Sequence, residues 1–121
     1  MVQKKTLVLG ASDNPSRYSY LAIKRLEQYG HPVIAIGRKH TAVGETIIHT
    51  EKIPTEGIDT ITLYLNAQNQ KPYYDYILSI KPHRIIFNPG AENEELKKLA
   101  AEKNIQTIEA CTLVMLSTGQ Y

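Results

Sequence analysis

The sequence predicts a three-layer α/β domain built on a doubly wound, mainly parallel sheet of about five strands. Three observations carry that expectation. Short continuous apolar runs recur along the chain, TLVL at 6–9, VIAI at 33–36, TITLYL at 60–65 and RIIF at 84–87, as strands buried on both faces require. Segments with three- and four-residue apolar spacing separate most of them, as crossover helices do. The connections are short and free of repeats or low-complexity linkers, so residues 1–121 are expected to form one domain.

TLVL is expected to end at Gly10, and a helix follows. Pro15 suits an early helical position, with Asp13 or Asn14 as the cap, and Tyr18, Leu21, Ala22, Arg25, Leu26 and Tyr29 keep helical period until Gly30. VIAI closes at Gly37. Residues 41–57 read as an irregular crossover in which TIIHT pairs briefly at a sheet edge, because Pro54 is incompatible with an uninterrupted central strand. After TITLYL the polar stretch NAQNQK leads to a helix beginning near Pro72, with Tyr73, Tyr76, Ile77 and Ile80 on one stripe. RIIF gives way to NPGAENEEL and a helix carrying Leu96, Leu99 and Ala100. QTI at 106–108 is the last strand, and residues 112–116 form a short terminal helix.

Bulk composition narrows the function classes. With 42% hydrophobic and 21% charged residues, the 121-residue chain matches ordinary globular proteins and is long enough to bury a real core. Fourteen basic against twelve acidic residues leave a formal charge of +2, too little to draw the whole molecule onto nucleic acid or an anionic membrane. No apolar run approaches the roughly 20 residues that span a bilayer. A cytoplasmic location is therefore expected. Cys111 is the sole cysteine, which excludes an intrachain disulfide, and His31, His40, His49 and His83 share no short metal-binding spacing. No metal site is expected.

The chemistry concentrates in three loops at the carboxyl ends of the expected strands. The first is GASDNPSRYS, residues 10–19, which joins a strand to a helix start where unpaired backbone N–H groups favour an anion. Gly10 allows a tight turn or close approach of a ligand, and Ala11, Ser12, Asp13 and Pro15 continue the cradle. Ser12 and Ser19 offer hydroxyls, and Arg17 offers a forked cationic contact. The stretch is not a full GxGxxG signature, since Ser12 and Pro15 stand at the later glycine positions. The second loop, Gly37-Arg38-Lys39, puts two cations where an NAD site commonly has an acid, which suits a phosphorylated ribose in NADP or coenzyme A. In the third, Asn88 or Gly90 is expected to face the ligand, while Glu94 and Glu95 favour the following helix start. Asn66, flanked by Leu65 and Ala67, lies at the same end of the sheet.

These residues resemble the small stand-alone coenzyme A-binding domain family, itself similar to the amino-terminal domain of the succinyl-coenzyme A synthetase α chain. The resemblance covers nearly all of residues 5–116. It is carried by the G-x-S-x-x-P-x-R-x-S pattern at Gly10, Ser12, Pro15, Arg17 and Ser19, by Lys39 in a V-N-P-K-like stretch, and by Gly90, Asn93, Glu94 and Glu95. Cys111 matches the family's near-terminal cysteine, and Gly37 and Arg38 depart from its pattern. The resemblance implies a Rossmann-like fold with coenzyme A along the carboxyl edge of the sheet, its phosphates near the first loop and its adenosine end near the second.

Neither a Ser-His-acid set, a Cys-His pair nor paired carboxylates can be assembled from spacing. Glu109 stands beside Cys111, but neighbours at a strand-helix junction need not face one space. The expected function is a non-catalytic coenzyme A- or acyl-coenzyme A-binding carrier, sensor or regulatory module, rather than an enzyme. Two alternatives remain, a small NADP-dependent reductase and a structural or interaction domain with a degenerate nucleotide site. Tyr73, Tyr74 and Tyr76 suggest an oligomer face, hence a homodimer or an unidentified protein partner.

Overall fold

The computed structural model describes residues 2–121. Seven strands form one sheet: β1 (Thr6–Ala11), β2 (Val33–Gly37), β3 (Thr41–Val43), β4 (Thr46–His49), β5 (Thr60–Leu63), β6 (Arg84–Phe87) and β7 (Gln106–Glu109). Their order is β3-β4-β2-β1-β5-β6-β7. Every neighbouring pair is parallel except β3 with β4.

The five expected strands are the contiguous run from β2 to β7, and the count of five is too low. Residues 41–49, expected as crossover with a brief edge pairing, make a hairpin that extends the sheet by two strands. Its turn holds Gly44 at φ +57, the positive value that tight hairpin turns demand of their first central residue. The Glu27 carboxylate fixes it by accepting from the Glu45 N–H at 3.0 Å and the Thr46 hydroxyl at 2.6 Å. A contact between residues 18 or 19 positions apart leaves no periodic trace in the sequence.

The helices are α1 (Tyr18–Gln28), α2 (Ala67–Gln70), α3 (Tyr74–Ile80), α4 (Glu94–Glu102) and α5 (Thr112–Ser117), with a 3-10 turn at Lys71–Tyr73. Alternation along β1 separates the two core layers. Leu7 and Leu9 pack with Ile61, Leu63, Ile85 and Phe87 beneath Ile77 of α3 and Leu96 and Ala100 of α4. Val8 points to the other face, against Ile23 and Leu26 of α1 and Leu116 of α5. Each fully buried side chain of this size contributes about 2 kcal/mol relative to exposure, so both layers are needed.

Two helix starts differ from expectation. α1 begins at Tyr18, because the Asn14 side chain accepts from the Ser16 N–H at 3.0 Å and its hydroxyl at 2.8 Å, holding residues 14–17 in a turn. Pro15 stands in that turn, outside the helix. The stretch after β5 is already helical from Ala67, capped by Asn66, whose Oδ1 accepts from the Asn69 N–H at 2.9 Å. Pro72 falls in the 3-10 turn, and the Tyr73, Tyr76, Ile77 and Ile80 stripe meets the core as its spacing predicts.

At the amino end of the sheet, Tyr121 lies against His31, ring centroids 4.9 Å apart, with the Arg84 guanidinium 4.4 Å from the tyrosine ring centroid. The Lys4 N–H donates to His31 Nδ1 at 3.0 Å, which requires an unprotonated nitrogen. Burial, then the charges of Lys4 and Arg84, push the His31 pKa below its usual 6.5. The unfolded chain therefore binds a proton that the folded chain refuses, so this contribution is complete above pH 6.5 and drains away as pH falls through the lower folded value. Urea midpoints are expected to fall between pH 7.5 and 5, and His31→Gln is expected to flatten that slope. An unchanged slope in the variant would sink the assignment.

Candidate functional site

The chain leaves β1 toward β2 on one side and later returns to β5 on the other, so the connections diverge above the carboxyl end of β1. Divergence of this kind opens a crevice at the end of a parallel sheet. A cleft of about 790 Å³ lies there. Its near wall consists of Gly10, Ala11, Ser12, Asp13, Arg17, Tyr18 and Ser19, and of Ile36, Gly37, Arg38, Lys39 and Thr41. Its far wall consists of Tyr64, Leu65, Asn66, Asn69, Tyr73, Pro89 and Gly90.

Two glycines let the loops meet. Gly10 has φ +87 and occupies the irregularity in the β1–β2 register between Leu9 and Ala11, so β1 resumes at Ala11 where the sequence suggested a stop. A side chain on Gly10 would also press on the Tyr64 and Leu65 backbone, at 3.0 and 3.1 Å from its Cβ. A Cβ on Gly37 would lie 2.2 Å from the Ala11 carbonyl oxygen. Gly37, which departs from the expected family pattern, thus has a steric reason of its own: the ends of β1 and β2 touch there.

Charge gathers on the near wall. Lys39 Nζ is 3.2 Å from Asp13 Oδ2, and the Thr41 hydroxyl donates to the same oxygen at 3.0 Å. The bond from Lys39, followed by that from Thr41, holds the Asp13 carboxyl below its usual 3.8. Arg17 and Arg38 are exposed and, among the described residues, make no salt bridge or side-chain hydrogen bond, while Ser12 Oγ accepts from the Asn14 N–H at 3.1 Å and keeps its own proton to donate. The near wall therefore offers three cations, hydroxyls and the amide end of α1, a donor set suited to phosphate. The far wall offers amide side chains, two tyrosine rings and no charge, a set suited to a long uncharged arm.

Eleven of the thirteen sequence-predicted ligand residues line this cleft: Gly10, Ala11, Ser12, Asp13, Arg17, Ser19, Gly37, Arg38, Lys39, Asn66 and Gly90. Pro15 is exposed in its turn and does not. Asn88 does not either. Its Nδ2 donates to Thr62 Oγ1 at 2.7 Å and to the Leu63 carbonyl at 2.9 Å, and its Oδ1 accepts from the Thr112 N–H at 2.9 Å, so the buried amide ties β5, β6 and α5 together.

Sequence reasoning missed Tyr18, Thr41, Tyr64 and Asn69 as lining residues, and it read Tyr73 as part of a helical stripe and of a suggested oligomer face without placing it at the cleft. A polar side chain two residues beyond the basic turn was the available signal for Thr41. The neighbouring tyrosines have internal roles: the Tyr74 hydroxyl accepts from Asn93 at 2.9 Å and donates to Glu95 at 2.9 Å, and Tyr76 donates to the Ile53 carbonyl at 2.5 Å. Burial pushes the Tyr64 hydroxyl well above its usual pKa, so it stays protonated. The far wall is braced by buried Gln70, whose Nε2 donates to the Leu65 and Ala91 carbonyls at 2.8 and 2.7 Å and whose Oε1 accepts from Asn93 at 2.8 Å.

Glu109 lies 3.9 Å from Lys97, so it pairs with α4, and Cys111 is a half-buried free thiol at the start of α5. Among the described residues, no three His, Cys, Asp or Glu side chains gather as metal ligands would, and no helix is long and apolar enough to cross a membrane.

Comparison with known proteins agrees with this architecture. The chain superposes on the crystal structure of an uncharacterized protein with a TM-score of 0.96 and 51% identity over 100% of both chains. It is similar in fold to a hypothetical protein from Pyrococcus horikoshii OT3, with a TM-score of 0.85 and 21% identity over 96% of this chain and 83% of that one. It also matches 26% of a dinucleotide-forming acetyl-coenzyme A synthetase from Ca. Korarchaeum cryptofilum, solved with phosphate and ADP, over 89% of this chain at a TM-score of 0.70 and 15% identity. No curated protein matches. The model of the CoA binding domain family matches residues 4–117, nearly the whole chain, and the protein belongs to that family.

Proposed function

We propose that this protein binds coenzyme A or an acyl-coenzyme A without transforming it, as a carrier, sensor or regulatory module of the cytosol. The observation that carries the reading is the division of the cleft, with Arg17, Arg38 and Lys39 on one wall and an uncharged wall opposite. Coenzyme A has the same division, a phosphate-rich nucleotide joined to a long neutral arm. Arg17 and the amide end of α1 would hold the pyrophosphate, and Arg38 and Lys39 the phosphorylated ribose. Membership of the CoA binding domain family supports the ligand class. The likeness to the amino-terminal domain of the succinyl-coenzyme A synthetase α chain belongs to this same reading, and so does action as a single domain, alone or as a homodimer.

Calorimetry of the purified, ligand-free chain with coenzyme A tests the proposal, with NADP as the competing ligand. Saturable binding at micromolar or lower dissociation constant, near one site per chain, is expected. Tighter binding of NADP would redirect the site to a reductase, and no binding of either by demonstrably folded protein would favour an interaction domain.

A further inference from the structure

The two ends of the cleft differ in charge, and the difference limits what a thioester on the ligand can carry. All three cationic lining residues, Arg17, Arg38 and Lys39, belong to the end near β1 and β2. The other end is formed by Leu65, Asn66, Asn69, Tyr73, Pro89 and Gly90, none of which carries a charged side chain. Between the carboxyl ends of β2 and β6 lie three strand spacings, about 14 Å in all. A nucleotide held at the cationic end thus reaches the neutral end only through an extended arm, whose terminus is the thiol or its acyl group.

A carboxylate carried to that terminus would find no cation in the lining. Lys52, beside Tyr73, has its ammonium 5.3 Å from the ring centroid and donates to the Pro72 carbonyl at 2.6 Å. The Glu92 carboxylate stands instead at this end, accepting from the Gly90 N–H at 2.9 Å. An incoming anion would lose water, gain no cation from the lining and approach a like charge. Asn66 meanwhile uses its Oδ1 to cap Asn69, which leaves its NH₂ group as a donor for a neutral carbonyl.

Resting on the coenzyme A reading above, we infer that the neutral end accepts the free thiol or a short uncharged acyl group and discriminates against acyl groups that end in a carboxylate. Calorimetric titration of the full chain with coenzyme A, acetyl-coenzyme A and succinyl-coenzyme A separates this inference from the reading beneath it. Coenzyme A and its acetyl ester are expected to bind within about threefold of each other, and the succinyl ester about tenfold more weakly. Glu92→Gln, a change at an exposed side chain outside the cleft lining, is expected to narrow the gap to roughly threefold. Succinyl-coenzyme A binding as tightly as the acetyl ester would overturn the inference while leaving the ligand reading intact. Failure of all three compounds to bind the folded chain would overturn both.

Discussion

Asn88→Ala is expected to lower stability by about 4 kcal/mol and the thermal midpoint by roughly 15 °C. The amide makes three hydrogen bonds inside the protein, two as donor to β5 and one as acceptor from the Thr112 N–H that opens α5. Alanine would leave the Leu63 carbonyl and the Thr112 N–H buried without that partner and open a small cavity, and each unsatisfied group costs about 1–3 kcal/mol. Thr62 would keep only its bond with Thr112 Oγ1 at 2.8 Å. Asn66→Ala provides the contrast, because that exposed asparagine caps a four-residue helix and its loss is expected to cost only about 1 kcal/mol. Thermal unfolding of both variants measures the difference. Equal midpoints would show that Asn88 is not the tie its geometry describes.

The contrast also explains how far the sequence could be read. Both asparagines follow an apolar strand, and from that position alone both looked like ligand residues at the carboxyl edge of the sheet. Asn88 directs its amide inward because Thr62 and Thr112, 26 and 24 residues away, offer partners in the core. Pairings at that separation have no local signature. The same limit hid the β3–β4 hairpin, whose anchor Glu27 lies on α1, and hid Tyr73, whose helical period was legible although the neighbour it faces was not.

What was legible rests on local physics. Four buried strands announced themselves as apolar runs, and the glycine-rich turn and the basic turn lie at the ends of two adjacent strands, β1 and β2. Adjacency followed from the doubly wound topology, so a site assembled from Arg17, Arg38 and Lys39 could be anticipated without any contact information. The reason for Gly37 was not local: in sequence it only departs from the family pattern, whereas in the structure the Ala11 carbonyl oxygen fills the space that a side chain would need.

Lys39→Met is expected to weaken coenzyme A binding by about 30-fold, from loss of one charge-assisted contact to phosphate. The structure adds a second consequence. Lys39 neutralises Asp13 on the cleft wall, and Asp13, held below its usual pKa by that same bond, is an anion throughout the neutral range. Removing the lysine thus takes away a cation and also exposes a carboxylate to the ligand phosphates. Asp13→Asn in the Lys39→Met background is therefore expected to restore about fivefold of the lost affinity, and Asp13→Asn alone to tighten binding by a few-fold because Lys39 no longer divides its charge. Raising the salt concentration should shrink both gains, since the pair is solvent-exposed and screened. Calorimetric affinities for the four proteins of this cycle decide the matter. A double variant as weak as Lys39→Met would mean that the phosphates lie beyond the reach of Asp13, which would move the nucleotide toward Arg17 and the start of α1.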